Sequence, residues 1–417
     1  MQSAICLIVD RLHAGYLGCY GNTWIATPAF NRLAAEAFVF DQALIDSSSL
    51  EQLYRGYWWG TQAVEPPSTA PQDSLMRRLA AAGVHTALIT DEPQLALGPL
   101  AGEVQELLHV ATPENIGNAQ TLDETRLAAL FAAVIEWLAA AQQPFCLWVH
   151  LGSLGTAWDA PLELRNHYAD PDEPLPPELV APPRLVLDED YDPDELLGYS
   201  QAYAGQVSAL DECLGGLLDW IAEQPWSAST LLTMLGARGL ALGEHRRVGC
   251  WDEALGGELL HVPWFVRMPD GTGRAARSQA LIEPDDLAMT LSAWWQLPQP
   301  ALGGPLARSL LPLVRDEVTA VRDRICIAGA SGQRAIRTPG WFLRWAGSVP
   351  VPGDDPAASH WLYAKPDDRF EMNDVADRCP DIVEALERGW NELVEAARTG
   401  SSSPLTALPA ELLADQV

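Results

Sequence analysis

The stretch "LIVDRLHAGYLGCYGNTWIATPAFNRLAAEAFVFDQALI", Leu7 to Ile45, reads as strand, loop, helix and strand. It continues the apolar run "SAICLIVD", which is short, unbroken and bounded by an acid, the pattern of a parallel strand buried on both faces. In "TPAFNRLAAEA" Thr27 stands at the N-cap position and Pro28 at the first helical position, where its missing N–H costs nothing. "FVFDQALI" is then a second strand.

The same alternation continues outward. "DSLMRRLAAAG" predicts a helix ended by Gly83, and "VHTALIT" a strand. Residues 122–141 predict a long helix and "PFCLWVHL" another buried strand. Residues 169–195, rich in Pro, Asp and Glu, read as a loop or insertion, and a long amphipathic helix is expected from Glu195 to Glu223. "STLLTMLG" and "HVPWFVRMP" are strands, and "PDDLAMTLSAWWQL" is a helix with an acidic first turn. Past residue 315 the pattern changes to short antiparallel strands ("DRICIAG", "QRAIRTPG", "WFLRWAG") and a terminal helix in "CPDIVEALERGWNELVEAA". The fold class expected is α/β: a doubly wound, mostly parallel sheet flanked by helices over residues 1–314, a smaller α+β subdomain of antiparallel strands plus helix over 315–400, and a loose tail over 401–417.

The 417 residues are 48% hydrophobic with a formal net charge of −30, and Lys365 is the only lysine. A field of that sign repels phosphate backbones and anionic headgroups, which argues against nucleic-acid and membrane-surface partners. Seven scattered cysteines form no CxxC pair, so no zinc or redox motif is present. Cys6 and Cys146 sit in apolar runs and read as buried small hydrophobes. No run of about 18 apolar residues occurs, and the opening strand has no leader-like pattern before it. A reduced, cytoplasmic protein is expected on this basis.

The opening stretch strongly resembles the amino-terminal signature of the sulfatase family, in the alkaline-phosphatase superfamily. "GCYGN" (Gly18–Asn22), the pair Thr27–Pro28 and "NRLAAEAFVFDQA" (Asn31–Ala43) fall in the family's order and spacing. "QAYAGQVSALDECLGGLLDWI" is similar to its long helix, with Tyr203 and Asp211. "GLALGEH" (Gly239–His245) resembles the segment after its second metal-ligand pair, and "LLHVPWFVRMP" its "RVP" strand. "RAIRTPGWFLRW" and "LYAKPDDRFEMNDVADRCPDIVEAL" resemble its carboxy-terminal subdomain.

What the resemblance implies is an enzyme whose cysteine or serine, oxidised to formylglycine, attacks a sulfate ester beside a calcium ion held by Asp/Asn oxygens, with cationic residues neutralising the charge. This chain departs from that pattern at nearly every functional position. Carried over in register from Gly18 to Gly60, the family nucleophile falls on Leu50, its proline on Gln52 and its arginine on Tyr54. Leucine offers no heteroatom. Ser49 is one residue away, but a one-residue shift on a helix start re-aims a side chain by roughly 100°, and "DSSS" also reads as a helix N-cap. The paired acids after the first strand become Asp10 and Arg11. The later ligand pair becomes Ala237 and Arg238. The central histidine falls on Gly155, while His150 and His245 match vestigial, structural histidines. Lys365 belongs to the carboxy-terminal phrase, so the family's catalytic lysines are missing.

With so many coordinated losses, the resemblance implies a sulfatase-like pseudoenzyme with no catalytic residues, no calcium and no other cofactor, acting by binding an unidentified ligand or protein partner. Arg11 and Arg238 are expected either to fill the metal's place beside Asp10 or, with Arg55, to form an anion-binding pocket. A divergent sulfuric- or phosphoric-ester hydrolase stays open as the alternative, with Asp10, Asp46, Ser47 to Ser49, Glu51 and His245 in reach by sequence. A structural subunit paired with an active homologue is a third reading, for which the tryptophans of "YWWG" and "AWWQL" could supply an interface.

Overall fold

The computed structural model describes residues 2–65, 73–111, 117–297, 306–401 and 403–413. The chain forms two compact units. The first holds Met1–Asp41, Met76–Cys250 and Pro263–Arg277, and the second Gln42–Leu75, Trp251–Val262 and Ser278–Val417. This differs from a division at residue 314: three segments from the first three hundred residues fold with the C-terminal part.

The strands β1 (Ser3–Val9), β2 (Phe38–Ala43), β3 (His85–Thr90), β4 (Glu106–His109), β5 (Phe145–Leu151), β6 (Thr230–Gly236), β7 (Trp264–Arg267) and β8 (Arg277–Ile282) form one sheet in the order β8-β2-β7-β6-β1-β5-β3-β4. The contiguous set β6-β1-β5-β3-β4 is parallel, and β7 runs antiparallel between β6 and β2. Every residue of β1, β5 and β6 is buried, which is why these strands read as unbroken apolar runs rather than alternating ones. Cys6 and Cys146 are fully buried as expected, and all seven cysteines are free.

One face of the sheet (Ile5, Leu7, Val9, Leu147, Val149, Met234) packs in a single core with α1 (Pro28–Glu36), α4 (Arg126–Ala140) and the thirty-residue α5 (Pro193–Ala222). The N-terminus of α1 is not capped by its own Thr27, whose Oγ1 instead accepts from the Gly18 amide at 2.9 Å. Its cap comes from α5: the Asp211 carboxylate accepts from the amides of Ala29 (3.0 Å) and Phe30 (2.9 Å). An acidic side chain there satisfies two orphan donors and suits the positive end of the helix dipole.

In the second unit, α2 (Leu50–Trp59) lies against α6 (Asp285–Trp294); α3 (Leu75–Ala81) begins at the unit's border. Gly56 permits the α2–α6 approach, since a Cβ there would stand 3.1 Å from Pro284 Cβ. Strands β9 (Ile325–Ala328), β10 (Arg334–Arg337), β11 (Trp341–Trp345) and β12 (His360–Ala364) make the expected antiparallel sheet, and α7 (Pro380–Thr399) packs on it. Residues 403–413 are docked rather than loose. Leu412 is fully buried, its carbonyl accepts from Thr338 Oγ1 at 2.6 Å, and the Glu411 carbonyl accepts from Trp341 Nε1 at 2.9 Å. Trp58 and Trp294, from the two tryptophan pairs, are buried.

Candidate functional site

The site is built at the carboxyl ends of β1, β5, β6 and β3, the edge where open α/β sheets place their ligands. Parallel register sets it: Ile8 lies opposite His150, Val9 opposite Gly236, and His150 opposite Thr90. The next residues therefore emerge side by side. Asp10 N donates to Leu151 O, and Ala237 N to Val9 O, both at 2.9 Å.

Arg238 closes on Asp10 with two parallel hydrogen bonds, Nε to Oδ1 at 2.9 Å and Nη2 to Oδ2 at 2.5 Å. Arg11 Nε stands 3.8 Å from the same Oδ2, and its Nη1 reaches the Gly239 carbonyl at 3.5 Å. Burial by itself raises the Asp10 carboxyl; the Arg238 and Arg11 guanidiniums outweigh it and hold the group well below the usual carboxylate range. Asp10 is thus a carboxylate whose two oxygens both already meet cations. His150, fully buried beside it, is pushed down to about 4, first by burial and further by Arg238, against the pull of Asp10. Its ring is neutral at physiological pH.

Arg11 sits in the left-handed region at φ 62°, a conformation that costs a β-carbon-bearing residue about 1–2 kcal/mol. Its carbonyl accepts from Tyr203 Oη at 2.6 Å, and the same hydroxyl accepts from the His13 amide at 2.9 Å. Tyr203 on α5 therefore anchors the turn that aims Arg11 into the site. The side chain runs through space that Gly155 leaves open: a Cβ on residue 155 would stand 2.8 Å from Arg11 Cγ.

Four participants were not singled out in the sequence. Asp91 and Glu92 follow β3. Asp91 accepts from Gly152 N at 2.6 Å and from Ser153 Oγ. Glu92 is raised by its burial and, more weakly, by the Asp10 charge, so the two acids share one field. His13 Nε2 and Glu244 Oε1 pair at 3.3 Å. The one sequence signal was the acid pair closing the strand run "VHTALITDEP". His245 occupies a tight turn at φ 50°.

The structure brings Asp10, Arg11, His150, Gly155, Ala237 and Arg238 together in the first unit. Leu50, Gln52, Tyr54 and Arg55 lie on α2 of the second. Leu50 and Tyr54 are buried, and Arg55 Nη1 donates to Gln52 Oε1 at 3.1 Å. The serines before α2 do not cap it: Ser49, at the N-cap position, makes no side-chain cap bond, Ser47 Oγ accepts from the Ser49 amide at 3.2 Å, and Ser48 Oγ donates to the Asp252 carbonyl. Glu51 is exposed. Lys365 is buried in the second unit, donating to Glu371 at 3.1 Å and to the Asp368 carbonyl at 2.8 Å.

The sulfatase family profile matches residues 2–297. The chain belongs to that family. Solved structures share its fold over nearly their whole length at low identity. The phosphonate monoester hydrolase of Agrobacterium radiobacter is 16% identical, with a TM-score of 0.73 and 96% of each chain covered. A protein solved in complex with its substrate D-glucosamine-2-N,6-O-disulfate is 14% identical, with a TM-score of 0.74, covering 96% of this chain and 99% of that one. A putative sulfatase from Bacteroides thetaiotaomicron is 14% identical, with a TM-score of 0.71, covering 98% and 96%. At these identities the likeness is one of fold. No curated protein matches the chain in sequence at a significant level. Among the described residues, no helix of this sulfatase-family chain is long and apolar enough to cross a membrane.

Proposed function

We propose that this sulfatase-family protein binds rather than hydrolyses: its metal position is filled by a resident guanidinium, and it acts as a pseudoenzyme toward an unidentified ligand or protein partner. The observation that carries the reading is the two-pronged Arg238–Asp10 pair. A calcium ion asks for roughly six to eight oxygens. Here the one retained acid offers both of its oxygens to Arg238, Arg11 adds a second positive charge 3.8 Å away, and Ala237 offers no side-chain oxygen. These residues do not fit a divalent cation. Leu50, at the family's nucleophile position, is a buried hydrocarbon. On this reading the first unit's site supplies no Lewis acid, and the side chain at position 50 supplies no nucleophile.

The anion-holding variant of the reading asks Arg238 to leave Asp10 for the incoming oxyanion. The internal pair is the better-supported state, because leaving it strands a buried carboxylate.

Calcium and magnesium titrations against a chelated control, reading metal content and thermal unfolding in the wild type and in Asp10→Asn, test the proposal. No ion and no stabilisation dependent on Asp10 is the expected result. A stoichiometric ion lost in Asp10→Asn, or turnover of an aryl sulfate or phosphonate ester abolished by that substitution, overturns it in favour of a divergent hydrolase. A parallel sulfate titration distinguishes the anion-holding variant: binding weakened in Arg238→Ala supports it.

A further inference from the structure

Away from this site, the second unit buries four carboxyl groups, three of them around one guanidinium whose side chain is 9% exposed. Asp46, Glu283, Asp285 and Asp286 are each 0–1% exposed. Arg322 serves Asp286 with both terminal nitrogens, at 2.5 and 2.6 Å, and Glu283 Oε1 with Nε at 3.0 Å; its Nη2 stands 3.9 Å from Asp285 Oδ1. Asp286 is further satisfied by the amides of Arg308 (2.9 Å) and Glu283 (3.0 Å). The other three are not. Asp46 takes one hydrogen bond, from the Ala63 amide at 2.6 Å on Oδ2, and Glu283 Oε1 takes another from Gln62 Nε2 at 2.5 Å. Among the described residues, Asp46 Oδ1, Glu283 Oε2 and both oxygens of Asp285 accept no hydrogen bond.

Ionised together, these four carboxyls beside one guanidinium would leave three negative charges uncompensated on groups at most 1% exposed. A buried carboxyl in that position takes up a proton rather than stay charged. A metal ion is not the natural counter-charge, because Arg322 already stands among three of the four carboxylates.

The cluster also grips one helix. Asp46 precedes α2 and Gln62 follows it. Asp46 O accepts from the Ala328 amide at 2.9 Å, tying that end to β9. Pro284 and Asp285, at the start of α6, meet the middle of α2 at Gly56. The charges facing Asp285 come from Glu283 and Asp286 on its own segment, Arg322 and Asp46; Gln62 bonds Glu283, whose charge also reaches the buried Cys326 thiol, and Glu65 faces Asp46.

We propose that protons close this cluster: Asp285 and Glu283 are carboxylic acids at neutral pH, and the cluster is a pH-sensitive clamp that holds α2 against α6. Burial drives the shifts in the same direction, placing Asp46 at about 6, Glu283 at about 8 and Asp285 well above its usual range. Groups raised in the folded state stabilise it fully below the ordinary carboxylate range, and that stability is lost as pH rises through these values. The clamp therefore tightens in acid and loosens toward pH 8 and beyond.

The test uses the full-length chain. Infrared difference spectra at pH 7 are expected to contain the C=O stretch of a buried protonated carboxyl that Asp285→Asn and Glu283→Gln reduce. Asp285→Asn, which keeps the shape and removes the charge, is expected to raise the unfolding temperature by a few degrees at pH 8.5 and to change it little at pH 5.5. Absence of the protonated-carboxyl band in the wild type overturns the proposal. So does an Asp285→Asn protein destabilised equally at both pH values, which would make Asp285 an ionised partner of Arg322. If the variants fail to fold, the wild-type spectrum alone decides.

Discussion

Arg11 Cγ lies 2.8 Å from the point where a Cβ on Gly155 would stand. The two positions are 144 residues apart in the chain. They share one volume: the Arg11 side chain runs through the space that Gly155 leaves open. Gly155→Ala is expected to destabilise the protein by about 1–3 kcal/mol through overpacking, and Gly155→His by more. In an Arg11→Ala background most of the Gly155→Ala cost should disappear, and a double-mutant cycle in urea measures that coupling. Additive costs would mean that Arg11 moves aside freely.

The Arg238–Asp10 pair is expected to be structural. Arg238→Ala should cost about 3 kcal/mol, because it strands a buried carboxylate. Arg238→Lys should recover part of that, keeping the charge but losing the fork. Denaturant unfolding of the two variants checks the order. An Arg238→Ala protein as stable as wild type would show that Asp10 finds another partner.

Leu50 gives a prediction that separates a packing position from a reactive one. It is 2% exposed at the start of α2. Leu50→Ala should cost about 2–4 kcal/mol, as core truncations do. A nucleophile's removal instead leaves stability near wild type and abolishes turnover.

The pH response of the first unit should run opposite to that of the clamp. His150 is buried neutral, with its folded-state value lowered to about 4. A histidine depressed on folding contributes fully above its ordinary pKa near 6.5, and its contribution is lost as pH falls toward 4. The loss amounts to on the order of 3 kcal/mol. Asp10, also depressed, holds its contribution until pH falls below the usual carboxylate range. NMR of the His150 ring protons should show no titration between pH 5 and 8, and a His150 signal titrating near 6.5 would place the ring in contact with water.

The alternating strands and helices, the buried cysteines and the family signature were legible in sequence because each depends on local periodicity and on residues near one another in the chain. The identities of Leu50, Tyr54, Arg11, Ala237 and Arg238 were legible for the same reason. What those side chains do was not. Thr27 has the composition of an N-cap, yet Asp211 caps α1 from 182 residues away; the tail's polar, proline-bearing sequence reads as loose, yet Leu412 is buried. The unit boundaries followed the same rule, since the segment 42–75 packs with residues more than two hundred positions later.

By itself, the sequence determined that this chain is a sulfatase-family α/β protein and which side chains it has to offer a site. Only the tertiary structure decided that Arg238 and Arg11 converge on Asp10, that Gly155 makes room for one of them, and that Glu283, Asp285 and Asp286 gather around one guanidinium. The reason is physical. Hydrophobic burial leaves a periodic trace along the chain, whereas the state of a charge depends on distance, direction and desolvation relative to groups that only folding brings within reach.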